Sequence, residues 1–538
     1  MLGLQPPNAA RRFALERSRS CSLDSHALPC FVGTNTMTES NHGHASSVEQ
    51  EALSGRLPVL ASERVYKTYG SFLWTCCAFS AATWAFLIGG FLPYVGDWRL
   101  GVMGYVIGLV IGMAIVSLAS GVPSYKYGTD VIDTAKSCFG YRGIVVPLLG
   151  LLATLIGWSF VVEALTSRGA ANIAASVTGA GAIGGAHEKL VIGVALASLL
   201  LVWLIACKGP KLFERLNGYI GPLHMLITVM MFGILIHRFG LHSLWINQLS
   251  ADKMLTHDKT RGLALAVEFG MSNAMTWWPV MGGLTRLVKR RGHIMGPSII
   301  GVGLMGAAFV SSVAALAAIS AGTHDPTIWM IALAGPILGS ATMAVVLMAN
   351  IATMVVMIYL AGVSIQQVKF FAQIKWELLL ALMLLPGIYF AFRTEWLLSA
   401  VMSWLSYNGV MFVGVTGITL VDYFFLRNEQ LDPAHLFATK GSKYEFWGGV
   451  NWIAVVITGA STWGYLLLYN PVTSDSSGPF KYLGASLPMI VLAGLAYFVA
   501  VKAILIPLRR GGYTASGGAM SRATLSQQPD RGAVTVAL

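Results

Sequence analysis

Two carboxylates interrupt long apolar runs of the sequence, Glu163 and Glu268. A carboxylate within a helix that crosses a bilayer costs about 2–3 kcal/mol or more unless it is paired, protonated or hydrated, so each is a candidate functional group. For Glu163 the alternative is an ion pair with Arg168. Glu268 is predicted to be the titrating group beside a bound ligand, because its otherwise apolar run leads to an interruption that begins at Gly270 and ends at Pro279. A hydrogen-bonded structural carboxylate is its alternative.

Aromatic side chains form a second set of candidates. Trp158 lies in the same apolar run as Glu163, and Trp277 lies beside the interruption that follows Glu268, close to Asn273. An indole face can stack on a flat heterocycle. Packing within a helical bundle is the alternative for each tryptophan.

Small hydroxyl and amide side chains form a third set. Ser80 and Thr83 lie in a stretch of small residues, while Asn350 and Thr353 are three residues apart and share one face of a helix. Such side chains can bind a polar ligand or a sodium ion, which prefers hard oxygen ligands. The alternative is hydrogen bonding between helices, which contributes about 1 kcal/mol per bond.

These residues belong to a chain that must lie in a membrane. Its 538 residues are 55% hydrophobic and 11% charged, whereas roughly a quarter of the residues are charged in soluble domains. Twelve apolar runs are long enough for helices that cross about 30 Å of hydrocarbon, and they lack the alternation of barrel strands. The predicted spans are 71–95, 100–119, 144–165, 190–207, 220–236, 263–284, 294–321, 329–361, 378–392, 397–420, 447–468 and 483–500. The fold class is therefore an all-α integral membrane protein with twelve transmembrane helices.

Two of these spans contain residues that disfavour a continuous helix. The first has small residues at its centre followed by Gly89 and Gly90, and the sixth has the stretch from Gly270 to Pro279. Breaks at positions one and six are the pattern of transporters with a five-plus-five inverted-repeat (LeuT-like) core, whose substrate lies at the breaks. Because Gly and Pro are common in membrane helices, ordinary helix packing is the alternative.

This pattern predicts the organisation of the chain. The first repeat covers 66–236, the second covers 237–426, and two further helices lie in 427–508. The polar tails 1–65 and 509–538 are predicted to be disordered.

The basic residues are explained by topology. The net charge is +12, and most of the 36 Lys and Arg residues fall in the tails and loops that are cytoplasmic if both termini lie inside. We therefore expect a multi-pass protein of the plasma (inner) membrane with both termini cytoplasmic, which binds the lipid bilayer and no nucleic acid.

The six cysteines show no CxxC or Cys/His spacing, so neither a disulfide framework nor a zinc site is indicated.

Several local strings together resemble one transporter family. The loop at 128–143 ends in Phe-Gly-Tyr-Arg-Gly, and the tenth span is followed by Val-Asp-Tyr-Phe-Phe-Leu-Arg at 421–427 and by Leu431-Asp432. In order and spacing over about residues 65–510, these strings resemble nucleobase:cation symporter family 1, the purine/cytosine permeases. The resemblance implies a secondary active transporter that takes up a nucleobase such as cytosine or a purine, or a related planar nitrogen heterocycle, with Na⁺ or H⁺.

The resemblance also implies roles for single residues. Trp158 follows a glycine as the substrate-stacking tryptophan of the family does, but Val162 stands where the hydantoin permease has glutamine. Glu268 and Trp277 resemble a glutamate and a tryptophan of the hydroxymethylpyrimidine permease branch.

In the eighth span one of the two usual sodium-facing hydroxyls is retained. The implied sodium ligands are Thr353 and carbonyl oxygens of the first span around Ala78 to Ala81. Proton coupling is the alternative.

Other functions remain open at this point. An amino-acid or amine symporter on the same core fold is the nearest, and its amino-acid carboxylate would favour the N-termini of broken helices. A channel is another, which accumulation of substrate against a gradient would exclude. A membrane enzyme is not favoured, because the loops contain no HExxH, Gly-x-Ser-x-Gly or Walker motif. No cofactor other than the coupling ion is expected.

Overall fold

The computed structural model describes residues 51–179, 188–439 and 441–513. Within these ranges the chain is helical, with isolated β-bridges and no sheet. Most of the two predicted disordered tails lies outside the described residues. The parts of the tails that are described, 51–65 and 509–513, pack against the helical core, so the predicted tail boundaries are too generous at both ends.

Helices corresponding to the twelve predicted spans follow in the predicted order. They are α1 (Tyr69–Ser80 and Thr83–Phe91), α2 (Trp98–Val116, continued to Tyr127), α3 (Val145–Thr178), α4 (Glu188–Ala206), α5 (Pro210–Phe239), α6 (Lys259–Met275 and Trp278–Thr285), α7 (Ser298–Phe309 and Val310–Ala321), α8 (Pro336–Ile365), α9 (Trp376–Ala391), α10 (Thr394–Val421), α11 (Trp452–Leu468) and α12 (Ser486–Ala500). In the described ranges, eight helices are individually long and apolar enough to cross a membrane, and two bent pairs satisfy the same test together. The prediction of an all-α membrane protein is confirmed.

Several predicted spans have different limits in the structure, and two of these differences have an identifiable cause. The run 329–361 is divided into a short helix, Pro326–Ala334, and α8, because Gly335 has a φ of 84° and Pro336 starts the next helix. Helix α3 continues to Thr178 rather than ending at 165. Arg168 is tolerated within it because its guanidinium lies 3.3 Å from the Asp325 carboxylate and 3.5 Å from that of Glu395.

The helices fall into two packed groups. The first group consists of α1, α2, α6 and α7, which contact one another extensively. In the second group, α3 and α9 each pack against α4 and α8. Contact between α2 and α6 is especially close, since a Cβ atom at Gly108 would lie 2.0 Å from the Val267 carbonyl oxygen and one at Gly270 would lie 2.2 Å from that of Tyr105. Small residues let two helix backbones approach in this way. The bundle of α1, α2, α6 and α7 is thereby held as a unit.

Arg286, at the end of α6, connects the two groups on the side predicted to be cytoplasmic. Its side chain is fully buried and donates hydrogen bonds to the carbonyl oxygens of Ala52 (3.0 Å) and Leu53 (2.8 Å) and to the Tyr359 hydroxyl of α8 (2.7 Å). Because buried guanidinium groups require such partners, the segment before α1 is fixed across this end of the protein.

The Asp-Tyr string after α10 forms a second buried network. Asp422 pairs with Arg427 at 2.9 Å and accepts hydrogen bonds from the hydroxyls of Ser137 (2.7 Å) and Tyr513 (2.6 Å). Ser137 belongs to the loop helix Val131–Phe139 between α2 and α3. These two strings therefore contact each other and hold the loops together.

Candidate functional site

Both interruptions predicted from the sequence are present. Helix α1 is broken at Ala81 and Ala82, where its two halves differ in direction by 57°. Helix α6 is broken at Thr276 and Trp277, and Pro279 lies in the first turn of its second half, where its missing N–H costs little. Each break exposes backbone groups in the middle of the bundle.

A central cavity lies between these breaks. In this conformation the cavity is small, with a volume of about 20 Å³. The lining residues are Phe79, Trp84, Thr154, Leu155, Trp158, Asn273, Thr276, Trp277, Val280 and Met357. Three of the predicted site residues, Trp158, Asn273 and Trp277, are therefore brought together. The lining set contains no charged side chain.

Tryptophans from three helices form the aromatic wall of this cavity. The ring centroid of Trp84 lies 5.7 Å from that of Trp158 and 6.2 Å from that of Trp277, with interplanar angles of 54° and 53°. Phe79 contacts Trp277 edge to face at 5.0 Å. The sequence analysis did not single out Trp84, although its place one residue after Thr83, beside the break in α1, was a usable signal.

Three polar side chains line the cavity, and each already has a partner. The Asn273 amide donates to the Tyr105 hydroxyl at 2.7 Å, and the Thr276 hydroxyl donates to the Asn273 carbonyl oxygen at 2.7 Å. The Thr154 hydroxyl contacts the side-chain oxygen of Asn408 in α10. The cavity thus offers a few oriented polar groups within a mainly aromatic wall.

Asn350 and Thr83 were predicted to bind substrate, but the structure bonds them to each other outside the lining set. The Asn350 side-chain oxygen accepts hydrogen bonds from the Thr83 backbone N–H (2.9 Å) and hydroxyl (2.7 Å). Its amide nitrogen donates to the Thr166 hydroxyl of α3 at 3.0 Å. Asn350 therefore caps the second half of α1 and ties it to α3 and α8, in agreement with the alternative of hydrogen bonding between helices.

Ser80, also predicted to bind substrate, faces another helix. Its hydroxyl is fully buried and lies 2.8 Å from the Cys76 carbonyl oxygen and 3.2 Å from that of Gly301 in α7. A hydroxyl in a helix commonly bonds to the carbonyl four residues earlier, and this bond turns the side chain away from the cavity.

The predicted sodium ligands lie close together at the α1 break. The Thr353 hydroxyl donates to the Phe79 carbonyl oxygen at 3.3 Å, and Ala78 and Ala81 are fully buried. Ala78 belongs to a small apolar cluster with Ala352 of α8. Thr353 therefore presents a side-chain oxygen to the end of the first half of α1.

Glu268 lies outside the central cavity, contrary to the prediction that it adjoins the substrate. Its carboxylate accepts hydrogen bonds from the backbone N–H groups of Ala485 (2.7 Å) and Ser486 (3.0 Å) and from the Ser486 hydroxyl. These donors form the N-terminus of α12, where a negative charge is favourable. Glu268 therefore anchors α12 to α6, which is the structural alternative.

Glu163 is buried in α3, and its predicted partner is elsewhere, because Arg168 pairs with Asp325 and Glu395. Neither carboxylate oxygen of Glu163 has a hydrogen-bond partner among the described residues. A Cβ atom at Gly387 of α9 would lie 3.1 Å from one of these oxygens, so Glu163 faces α9 rather than the central cavity.

A larger cavity adjoins the central one. Its volume is about 150 Å³, and it is lined by Ile88, Phe91, Tyr94, Val95, Leu255, Leu265, Glu268, Phe269, Ser272, Asn273, Tyr465, Tyr469, Pro471 and Ser474. Asn273 lines both cavities. This second cavity lies toward the end of the bundle opposite Arg286, and we refer to it as the vestibule.

Comparisons with known proteins agree with this architecture. A family model described as a permease for cytosine/purines, uracil, thiamine and allantoin matches residues 58–481. A search of curated proteins finds no match.

Among solved structures, the nucleobase-cation-symport-1 transporter Mhp1, closed with bromovinylhydantoin bound, has a TM-score of 0.65 at 14% identity over 83% of this chain and 95% of its own. A Na⁺-coupled sialic acid symporter in a substrate-bound outward-open state has a TM-score of 0.55 at 13% identity over 85% of this chain and 96% of its own. At these identities, the likeness establishes the fold.

Proposed function

The chain belongs to the family of permeases for cytosine and purines, uracil, thiamine and allantoin, and we propose that it takes up a nucleobase or a related planar nitrogen heterocycle. Transport would be secondary active symport with a cation, by alternating access. Cytosine and purines are the first substrates to examine.

The observation that carries this proposal is the aromatic lining of the central cavity. Three indoles and a phenyl ring surround it, and its polar groups are hydroxyls and one amide. A flat, neutral ring can exchange water for aromatic faces in such a site, and stacking contributes about 1–3 kcal/mol per base. The few polar groups can then fix the orientation of the ring.

An amino-acid substrate is disfavoured by the hydrogen bonds of Asn350. In a broken helix, the free N–H groups at the N-terminus attract a carboxylate. Here the Asn350 side-chain oxygen already accepts the Thr83 N–H, and the lining residues supply no cationic side chain. A substrate carboxylate would therefore find the Thr83 N–H occupied and no cationic side chain among the lining residues.

An amine is the second candidate, favoured by the mutual tilt of the tryptophans. Trp84 is inclined by more than 50° to both Trp158 and Trp277, as in an aromatic cage that surrounds a cation rather than in a parallel stack. Such cages bind quaternary ammonium groups through cation–π interactions. Competition by choline and by nucleobases separates the two candidates.

For the coupling ion we propose a site at the α1 break formed by Thr353 and the backbone carbonyls around Ala78 and Ala81. Sodium prefers oxygen ligands, and this position offers them. Only one of them, however, is a side-chain hydroxyl. Proton coupling is the alternative, and uptake at two sodium concentrations and two pH values distinguishes them.

Alternating access would move the bundle of α1, α2, α6 and α7 against α3, α4, α8 and α9. The Arg286 contacts with Tyr359 and with the segment before α1 close one end of the interface between the groups, while the vestibule occupies the other end. With both termini cytoplasmic in the plasma membrane, as the charge pattern predicts, the vestibule would face outward.

Replacement of the cavity tryptophans tests the proposal. Trp158→Ala and Trp277→Ala should each weaken binding of the preferred base by about 1–3 kcal/mol, measured by isothermal titration calorimetry on purified protein. Trp463→Ala in α11 is a matched control, because Trp463 is 65% exposed and is not one of the lining residues. Equal affinities in all three folded variants would refute a site between these tryptophans.

A further inference from the structure

The vestibule is the larger of the two adjoining cavities. Its volume is about 150 Å³, whereas the central cavity has about 20 Å³ in this conformation. A cavity of about 20 Å³ holds about one water molecule, while an engineered cavity of about 150 Å³ lined by apolar side chains binds benzene. The vestibule therefore has room for one six-membered ring in a conformation in which the central cavity does not.

Aromatic rings from two helix ends contribute to the wall of the vestibule. Phe91 is the last residue of α1, Tyr94 lies in the short turn after it, and Tyr469 directly follows α11. The Tyr469 ring is held in place by Phe480, on which it stacks with ring centroids 4.7 Å apart and an interplanar angle of 17°. Aromatic faces of this kind are the partners on which a flat heterocycle stacks.

A polar row on α6 forms another part of the wall. Glu268 and Ser272 are four residues apart and share a face of the helix, and Asn273, next to Ser272, lines both cavities. The Tyr465 hydroxyl of α11 interacts with both Glu268 and Ser272. Carboxylate, hydroxyl and amide groups thus lead from the vestibule toward the central cavity, and they can bind the polar edge of a ring.

The charge of the lining favours a neutral ligand. Glu268 is the only Asp, Glu, Lys, Arg or His among the described residues that line the vestibule. An anion would therefore meet a carboxylate and no cationic partner. The Glu268 carboxylate is already compensated by the N–H groups of Ala485 and Ser486, so it attracts a cation only weakly. A neutral planar ring with N–H and carbonyl groups on its edge fits this lining best.

The loop between α11 and α12 bounds the vestibule on one side. Pro471 and Ser474 of this loop line the vestibule, and the Arg261 guanidinium of α6 donates a hydrogen bond to the Ser474 carbonyl oxygen at 3.1 Å. Across the loop, the Asn470 N–H donates to the Asp475 carbonyl oxygen at 2.8 Å. The loop is therefore held against α6 as part of the wall.

We propose that the vestibule is a second binding site, which holds one planar nitrogen heterocycle before that molecule enters the central cavity. The ring stacks on the aromatic side chains and turns its polar edge toward α6. Asn273, which lines both cavities, lies on the path between them. This inference rests on the proposed function and extends it, because it adds a site at which a base of the transported class binds outside the central cavity.

The number of bases bound to the purified protein tests the proposal. Equilibrium dialysis with radiolabelled uracil, cytosine, hypoxanthine and adenine measures all bound base. Quenching of tryptophan fluorescence reports the central cavity, because three of its lining residues are tryptophans and none of the described residues that line the vestibule is. We expect two equivalents of the preferred base at saturation in the wild type.

Tyr469→Ala and Tyr94→Ala each remove a stacking face from the vestibule. In each variant one equivalent should bind about 5-fold or more weakly. The base concentration for half-maximal tryptophan quenching should change by less than about 2-fold, because it reports the other site. Since the base reaches the central cavity from the vestibule, the rate of quenching in stopped-flow mixing at low base concentration should fall by about 5-fold or more as well.

Two further variants complete the comparison. Trp277→Ala should weaken the equivalent in the central cavity and leave the other unchanged. Tyr482→Ala is the matched control, because Tyr482 is 78% exposed and is not one of the lining residues. If Tyr469→Ala does not fold without its stack on Phe480, Tyr94→Ala decides the question.

Three outcomes overturn the proposal. The first is a single equivalent in the wild type, and the second is the weakening of both equivalents in folded Trp277→Ala. The third is wild-type affinity for both equivalents in the folded vestibule variants. In each of these outcomes the wild type still binds base, whereas failure of the wild type to bind any of the four bases refutes the proposed function itself.

Discussion

Replacement of Asn350 by alanine should destabilise the protein more than it weakens substrate binding. Asn350 accepts two hydrogen bonds from Thr83 and donates one to Thr166, so it holds the second half of α1 against α3 and α8. Alanine removes all three bonds and leaves a buried N–H at the start of a helix. With about 1 kcal/mol per hydrogen bond, the free energy of unfolding should fall by about 3 kcal/mol.

The assay is reversible unfolding in mixed micelles, followed by circular dichroism, with base affinity measured in parallel. Thr83→Val and Thr166→Val are graded controls. Each removes one of the three bonds, so each should lower the free energy of unfolding by about 1 kcal/mol. A stability of Asn350→Ala within about 0.5 kcal/mol of the wild type, together with lost base affinity, would contradict this reasoning and return Asn350 to the substrate site.

Three further predictions concern other groups. If sodium is the coupling ion, Thr353→Val should raise the sodium concentration for half-maximal uptake by about 10-fold. Uptake that does not depend on sodium would instead indicate that a proton is the coupling ion. Glu268→Gln should lower the melting temperature, because it removes the charge that meets the Ala485 and Ser486 N–H groups, while base affinity in calorimetry stays within about 3-fold of wild type; a large loss of affinity with normal stability would oppose this. Burial, reinforced by the Asp133 carboxylate, raises the pKa of Asp130 from 3.8 to about 6, so the folded protein binds more protons there than the unfolded chain and loses stability as pH rises through that interval. Asp130→Asn should therefore gain up to about 3 kcal/mol relative to wild type between about pH 4 and about pH 7 in the same unfolding assay, and a constant difference would contradict the shift.

The sequence predicted features that depend on local composition. Apolar runs of about 20 residues located the spanning helices, and small residues and Pro279 marked the two breaks. The predicted break in α6 indicated Trp277 as a site residue, whereas Trp158, in the continuous helix α3, was indicated by its resemblance to the substrate-stacking tryptophan of the family.

Contacts between distant parts of the chain could not be predicted in this way. Asn350 and Thr83 are separated by 267 residues, and Glu268 and Ser486 by 218. Each polar side chain suggested a ligand from the sequence, and each is instead satisfied by a helix end from another part of the chain. Trp84, by contrast, directly follows Thr83 at the α1 break, so its place in the site could have been predicted from the sequence.

Uptake by purified protein in liposomes tests the central claim most directly. Radiolabelled uracil, cytosine, hypoxanthine and adenine are offered singly under an inward sodium gradient, an inward proton gradient, or neither. We predict that at least one base accumulates inside above its external concentration when one of the gradients is imposed, and that excess unlabelled base, but not phenylalanine, abolishes the accumulation. Equilibration of the bases without dependence on either gradient, or accumulation of phenylalanine in their place, would contradict the account.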